Sequence, residues 1–125
     1  MVFTEYFDWE KICKVSEKAM ETYKRIDLDG DLHTKKWTDQ PKFDKGRQYG
    51  VFHFEHVYTG DMFRKAVESL SSSERTIDNI AKIVRENYCV AWILKDENKL
   101  LPQSDRGDTL KDAFDIYSKC NIKLI

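Results

Sequence analysis

Proline and glycine are scarce here, at two and five residues of 125, and that scarcity argues against long disordered stretches. Cysteine is scarce as well. Cys13, Cys89 and Cys120 are odd in number, lie far apart and show no CxxC spacing, so reduced thiols are expected rather than a disulfide frame or a zinc cage. No apolar run approaches the 18 residues of a membrane span, which excludes a membrane reading. Met1 to Tyr6 lack the charged and then apolar order of an export leader. With the thiols, this makes the cytoplasm the expected location. Charge of one sign is also missing. Twenty-one basic residues stand against 22 acidic ones, a net of −1, so no overall field draws the molecule to nucleic acid or to an anionic membrane. The chain also lacks GxxxxGK[ST], GxGxxG and GxSxG, and with them the main support for phosphate-loop, dinucleotide and serine-hydrolase chemistry.

What is present is charge, at 34% of residues, on a chain of the size of one domain. Periodicity supplies the elements. Trp9, Ile12, Cys13, Ala19, Met20 and Tyr23 recur at helical spacing, with Ser16 in the gap, and predict a helix from Thr4 or Asp8 to Lys24. Residues 27–50 have no apolar period and read as a long irregular loop or short hairpin. Loops of that length are often functional or mobile. Residues 51–57 and 89–94 read as strands, the second apolar on both faces, and a parallel pairing of the two would need a right-handed crossover. Thr59 and Thr76 cap two helices with apolar stripes Met62, Phe63, Ala66, Val67, Leu70 and Ile77, Ile80, Ala81, Val84. Residues 95–101 form a polar turn or short helix and 102–107 an exposed loop. Asp108 caps a last helix with Leu110, Phe114 and Tyr117 inward, and Asn121 stands where a left-handed residue ends it. The expected fold is α/β of the α+β kind: a single domain over 1–125, with about four helices around a two- to three-stranded sheet.

The most informative stretch is Val51-Phe52-His53-Phe54-Glu55-His56-Val57, which sets two of the three histidines and a carboxylate among aromatics. Burying such groups is costly unless they are paired, hydrogen-bonded or metal-bound. Imidazole and carboxylate can ligate zinc or manganese or move protons, which makes His53, Glu55 and His56 candidate catalytic residues. As a strand, the segment puts His53 and Glu55 on one face and His56 on the other. The spacing is not HExxH. Asp27-Leu28-Asp29-Gly30-Asp31 opens like a calcium loop, but Leu32 and Thr38 occupy its sixth and twelfth positions, so a turn is the better reading.

Between residues 35 and 47, Lys35, Lys36, Lys42, Lys45 and Arg47 interleave with Trp37 and Phe43 against Asp39 and Asp44. Basic and aromatic side chains together suit a single-stranded nucleic acid. The modest local charge suits a protein partner anchored by Trp37 at least as well. Lys35, Lys36, Trp37, Lys42, Phe43 and Arg47 are therefore the candidate partner-binding residues. Cys13 and Cys89 are expected to be inert apolar side chains, with Cys120 more exposed.

The words Phe54-Glu55-His56-Val57, Trp92 to Leu100, and Asp112 to Tyr117 leading to Asn121-Ile122 carry a resemblance to a loose group of small uncharacterised bacterial and prophage-encoded proteins, over the second half of the chain. That resemblance implies a phage origin more than a mechanism. The resulting expectation is a small cytoplasmic binding protein that blocks or modulates a host macromolecule, such as a defence nuclease. The alternative is a metal-assisted phosphodiesterase or nuclease built on His53, Glu55 and His56, with Asp27, Asp29 or Asp31 completing the site. A protein partner comes first and nucleic acid second; the residues indicate neither a cofactor nor an oligomeric state.

Overall fold

The structure is a computed structural model and describes residues 7–44 and 50–125. Its organising element is β3 (Val90–Leu94), the apolar run, whose alternation sends side chains to two separate cores. Val90 and Trp92 enter one, with Ile12, Val15, Ala19, Met20, Tyr23, Leu32 and Phe52. Ala91 and Ile93 enter the other, with Val57, Met62, Leu101, Ala113, Tyr117 and Ile122. A strand buried on both faces is central, and β3 lies between β1 (Lys14–Val15) and β2 (Phe52–His56). The α+β expectation holds. Among the described residues there are six α-helices and this three-stranded mixed sheet. No helix among those residues is long and apolar enough to cross a membrane.

β2 runs antiparallel to β3, pairing Phe52 with Leu94 through His56 with Val90, so the parallel crossover is corrected. The parallel partner of β3 is β1, with Lys14 beside Ala91 and Val15 beside Trp92. This also corrects the first helix. The helical spacing from Trp9 to Cys13 belongs to a turn at Trp9 and Glu10 and the irregular segment that leads into β1, and α1 spans Glu17–Ile26. Ser16 accepts from the Ala19 N–H as its N-cap, and Glu17 adds an acidic first turn. The C-terminus then covers the open edge of β1, because Val15 and Ile125 exchange N–H to carbonyl bonds at 3.1 and 2.8 Å.

The long loop is more structured than its lack of period suggests. Leu32–Thr34 and Trp37–Asp39 form 3-10 turns and α2 spans Gln40–Phe43, with Pro41 in its first turn, where a missing N–H costs nothing. Leu32 is fully buried. The Asp27 to Asp31 segment is a turn, as expected: Asp27 accepts from the Tyr23 hydroxyl and Asp31 caps the first 3-10 turn.

α3 (Gly60–Glu68) and α4 (Ile77–Asn87) begin at their expected caps, Thr59 and Thr76, although Ile77 is exposed rather than inward. α5 (Lys95–Asn98) follows β3 directly. α6 (Leu110–Lys119) is capped by Thr109, not Asp108, because Thr109 and Asp112 satisfy each other's backbone N–H groups in a capping box. Asn121 ends it at φ 59°.

The cysteine expectation is overturned. Cys13 and Cys89 form a disulfide across a Cα separation of 5.2 Å, because β1 lies beside β3 and brings residues 76 apart into register. Cys120 is a free, half-buried thiol.

Candidate functional site

β2 distributes its polar side chains as the strand alternation requires. His53 and Glu55 share a face, and His53 Nε2 lies 3.2 Å from Glu55 Oε2; an ionised carboxylate only accepts, so the proton sits on the imidazole. Glu55 Oε1 accepts from the His56 backbone N–H at 3.0 Å and faces Arg106 Nη1 at 3.7 Å. Arg106 comes from the 102–107 loop, between Asp105 at φ 57° and Gly107 at φ 94°. Those two left-handed residues turn the loop back over the sheet, and Arg106 Nε–H donates to Pro102 O at 2.9 Å. Burial by itself pushes the Glu55 carboxyl upward. The His53 hydrogen bond, the Arg106 and His53 charges and the His56 N–H outweigh it and hold the group below its ordinary value.

The three expected residues therefore do not converge. The His56 side chain lies on the opposite face, its ring centroid 6.0 Å from Phe54 and 5.9 Å from Tyr88. No group of three His, Cys, Asp or Glu side chains able to hold a metal occurs among the described residues, so Asp27, Asp29 and Asp31 complete nothing. Both Glu55 oxygens already have partners. The cluster's evident work is mechanical, tying the 102–107 loop to the sheet. Tyr117 is buried beside it, and burial raises its pKa against the opposing effect of Arg106.

A different surface presents aromatic side chains outward. Trp37 is 59% exposed and stands beside a concavity of about 350 Å³ lined with Thr38, Gln40 and Pro41. Trp9, 49% exposed, borders a second concavity of about 230 Å³ with His56, Tyr58, Phe63 and Tyr88. The two tryptophan-bearing segments are pinned together. Lys36 Nζ pairs with Asp8 at 2.9 Å, and the Thr38 N–H donates to Glu10 Oε1 at 3.0 Å. Each is also tied to the body, since Trp92 Nε1–H donates to Lys35 O at 2.9 Å and the Tyr88 hydroxyl to Trp9 O at 2.5 Å. The indole of Trp9 meets the Tyr88 ring edge to face, with centroids 5.0 Å apart.

Among the expected contact residues, Trp37 and Lys42 are exposed and Lys35 and Lys36 half-buried. Phe43 is half-buried and packs on Tyr23, Phe52 and Trp92 at 5.3–5.6 Å between centroids, so its ring serves the core. Arg47 and Lys45 lie outside the described residues. Trp9 escaped the sequence reading because its spacing assigned it to a buried helix face.

Two buried carboxylates also went unseen. Asp44 Oδ2 accepts from Gln40 Nε2 at 3.0 Å and the Phe52 N–H at 3.2 Å. Glu97 Oε1 accepts from the Ser16 hydroxyl at 2.5 Å and the Leu94 N–H at 2.9 Å. Compared with protein-family models, curated proteins and solved structures, the chain shows no match.

Proposed function

We propose that this chain is a recognition protein that binds a protein partner through the surface carrying Trp37 and Trp9. The observation behind this reading is the pairing of two outward tryptophans, each at the rim of its own concavity, on segments held together by the Asp8–Lys36 and Glu10–Thr38 contacts. Single exposed apolar residues are ordinary. Two large aromatics on a braced surface are what interface anchors consist of, and Lys35, Lys36 and Lys42 supply a polar rim beside them. A surface already held by internal bonds loses little conformational freedom on binding, which favours affinity.

The resemblance of the second half to prophage-borne proteins makes a host macromolecule, such as a defence nuclease, the partner class to examine first. No observation favours the metal-assisted nuclease, whose three residues face two sides of a strand. Cytoplasmic residence belongs to this proposal too, and the Cys13–Cys89 bond bears on it. Disulfides persist in oxidising compartments, whereas cytosolic ones in mesophiles are usually transient and redox-active.

The test is capture from a bacterial host lysate with the full chain and with Trp37→Ala, followed by affinity measurement on the species retained. Losing one buried aromatic anchor costs about 2 kcal/mol, roughly a 30-fold rise in Kd. An identical set of captured species with unchanged Kd would reject the assignment.

A further inference from the structure

The Cys13–Cys89 pair is asymmetric in a way that chemistry can use. Cys89 is 1% exposed, within the core that holds Val57, Ala91 and Ile93. Cys13 is exposed and lines a groove of about 450 Å³ together with Phe7, Asp8, Lys11, Ile12, Arg85 and Tyr88. One residue of the bond thus lines a solvent-open groove and the other lies in the core.

Asp8, Lys11 and Arg85 line the groove as well, and Asp8 is paired with Lys36 at 2.9 Å. We infer that Cys13 is a thiol–disulfide exchange site for a small thiol, which enters by this groove and forms a mixed disulfide at Cys13 and not at Cys89. The incoming thiolate attacks Cys13 Sγ in line with the existing bond. The Cys13–Cys89 bond breaks, its electron pair leaves on Cys89 Sγ, and that sulfur takes up a proton. A second equivalent of the thiol attacks the mixed disulfide, leaves Cys13 as a thiol and departs as the oxidised small disulfide. Two thiols are oxidised and one protein disulfide is reduced.

The burial of Cys89 sets the pace. Its thiolate must form in apolar surroundings, which disfavours it as a leaving group and makes exchange slow. Slow exchange suits a response to sustained reducing conditions. Residues 7–13 also carry Trp9, so exchange would loosen one end of the recognition surface; that consequence, unlike the exchange itself, rests on the function proposed above.

The experiment needs no partner and so stands or fails separately from that proposal. The oxidised full-length protein is incubated with reduced glutathione, quenched in acid, and its cysteine peptides are mapped by mass. A glutathione adduct on Cys13 with Cys89 as a free thiol is expected; an adduct on Cys89, or the absence of a Cys13–Cys89 link in the oxidised starting protein, overturns the inference. A second arm frees each sulfur in turn. Native Cys89→Ser should react at Cys13 with an aromatic disulfide reagent at least about tenfold faster than Cys13→Ser reacts at Cys89, and equal or reversed rates refute the asymmetry.

Discussion

Glu97 is the residue whose removal should reveal most about how this fold is held. Its side chain is 4% exposed, and one oxygen accepts both the Ser16 hydroxyl and the Leu94 N–H. Ser16 caps α1 and Leu94 ends β3, so one carboxylate joins two junctions that lie 81 residues apart at the Ser16 contact. Hydrogen bonds to a charged acceptor contribute about 1.5–3 kcal/mol each, and a buried donor left unpaired costs about 1–3 kcal/mol. Glu97→Ala removes both bonds and strands both donors, so a loss of about 4 kcal/mol is expected. At roughly 2.1 cal/mol/K per residue, the unfolding entropy of a 125-residue chain is about 0.26 kcal/mol/K, which turns that loss into a fall in Tm of about 15 °C. Glu97→Gln keeps an acceptor oxygen in place and should lose about 1–2 kcal/mol. Calorimetry on Glu97→Ala, Ser16→Ala and the double variant completes a cycle, with an expected coupling of about 1.5 kcal/mol or more. A Glu97→Ala shift below about 4 °C, or additive single variants, would show that the contact does not bear the stability assigned to it.

Three further outcomes follow from other parts of the structure. Because Glu55 is held below its ordinary pKa in the folded state, its contribution is present above the unfolded value of about 4.3 and is lost as pH falls through the lower folded value. Urea midpoints at pH 7 and pH 3 should therefore drop more for the wild type than for Glu55→Gln, and equal drops would refute the pairing with His53 and Arg106. The disulfide closes a loop with a sequence separation of 76, for which chain entropy gives about 4.5 kcal/mol, so full reduction should lower unfolding free energy by a few kcal/mol. A loss under about 1 kcal/mol, with complete reduction verified by alkylation, would contradict this. Trp37→Ala, at an exposed position, should change stability by no more than about 0.5 kcal/mol, and a larger loss by denaturant titration would mean that the indole serves the fold rather than a partner.

Which parts of this architecture could be read in advance depends on how far each stabilising contact reaches along the chain. Thr59 and Thr76 cap helices through bonds to residues three positions on, and Asn121 adopts its left-handed turn locally, so these positions were legible from their neighbours alone. The apolar run at 90–94 needed only its own composition to announce a strand covered on both sides. The failures are non-local. Residues 9–13 fit a helical stripe, yet the Cys13 N–H donates to Val90 O and the Ser16 N–H to Trp92 O, and a strand with a neighbour to join overrides the helical spacing. The same pairing brings Cys13 to Cys89, a meeting that no spacing rule for cysteines could show.

The candidate site divides along the same line. Strand alternation correctly separated His56 from His53 and Glu55, since it depends on nothing beyond the segment. What Glu55 does instead depends on Arg106, 51 positions further on, whose approach is set by the turn at Asp105 and Gly107. The exposed tryptophans obey the same logic in reverse. Trp37 could be suspected from its basic surroundings, but Trp9 becomes part of a surface only because Asp8 and Glu10 find Lys36 and Thr38. If that bracing holds the two indoles in place for a partner, Asp8→Ala with Glu10→Ala should weaken capture while both tryptophans remain. An unchanged Kd for that double variant would show that the indoles act independently, and that the surface need not be preorganised in order to bind.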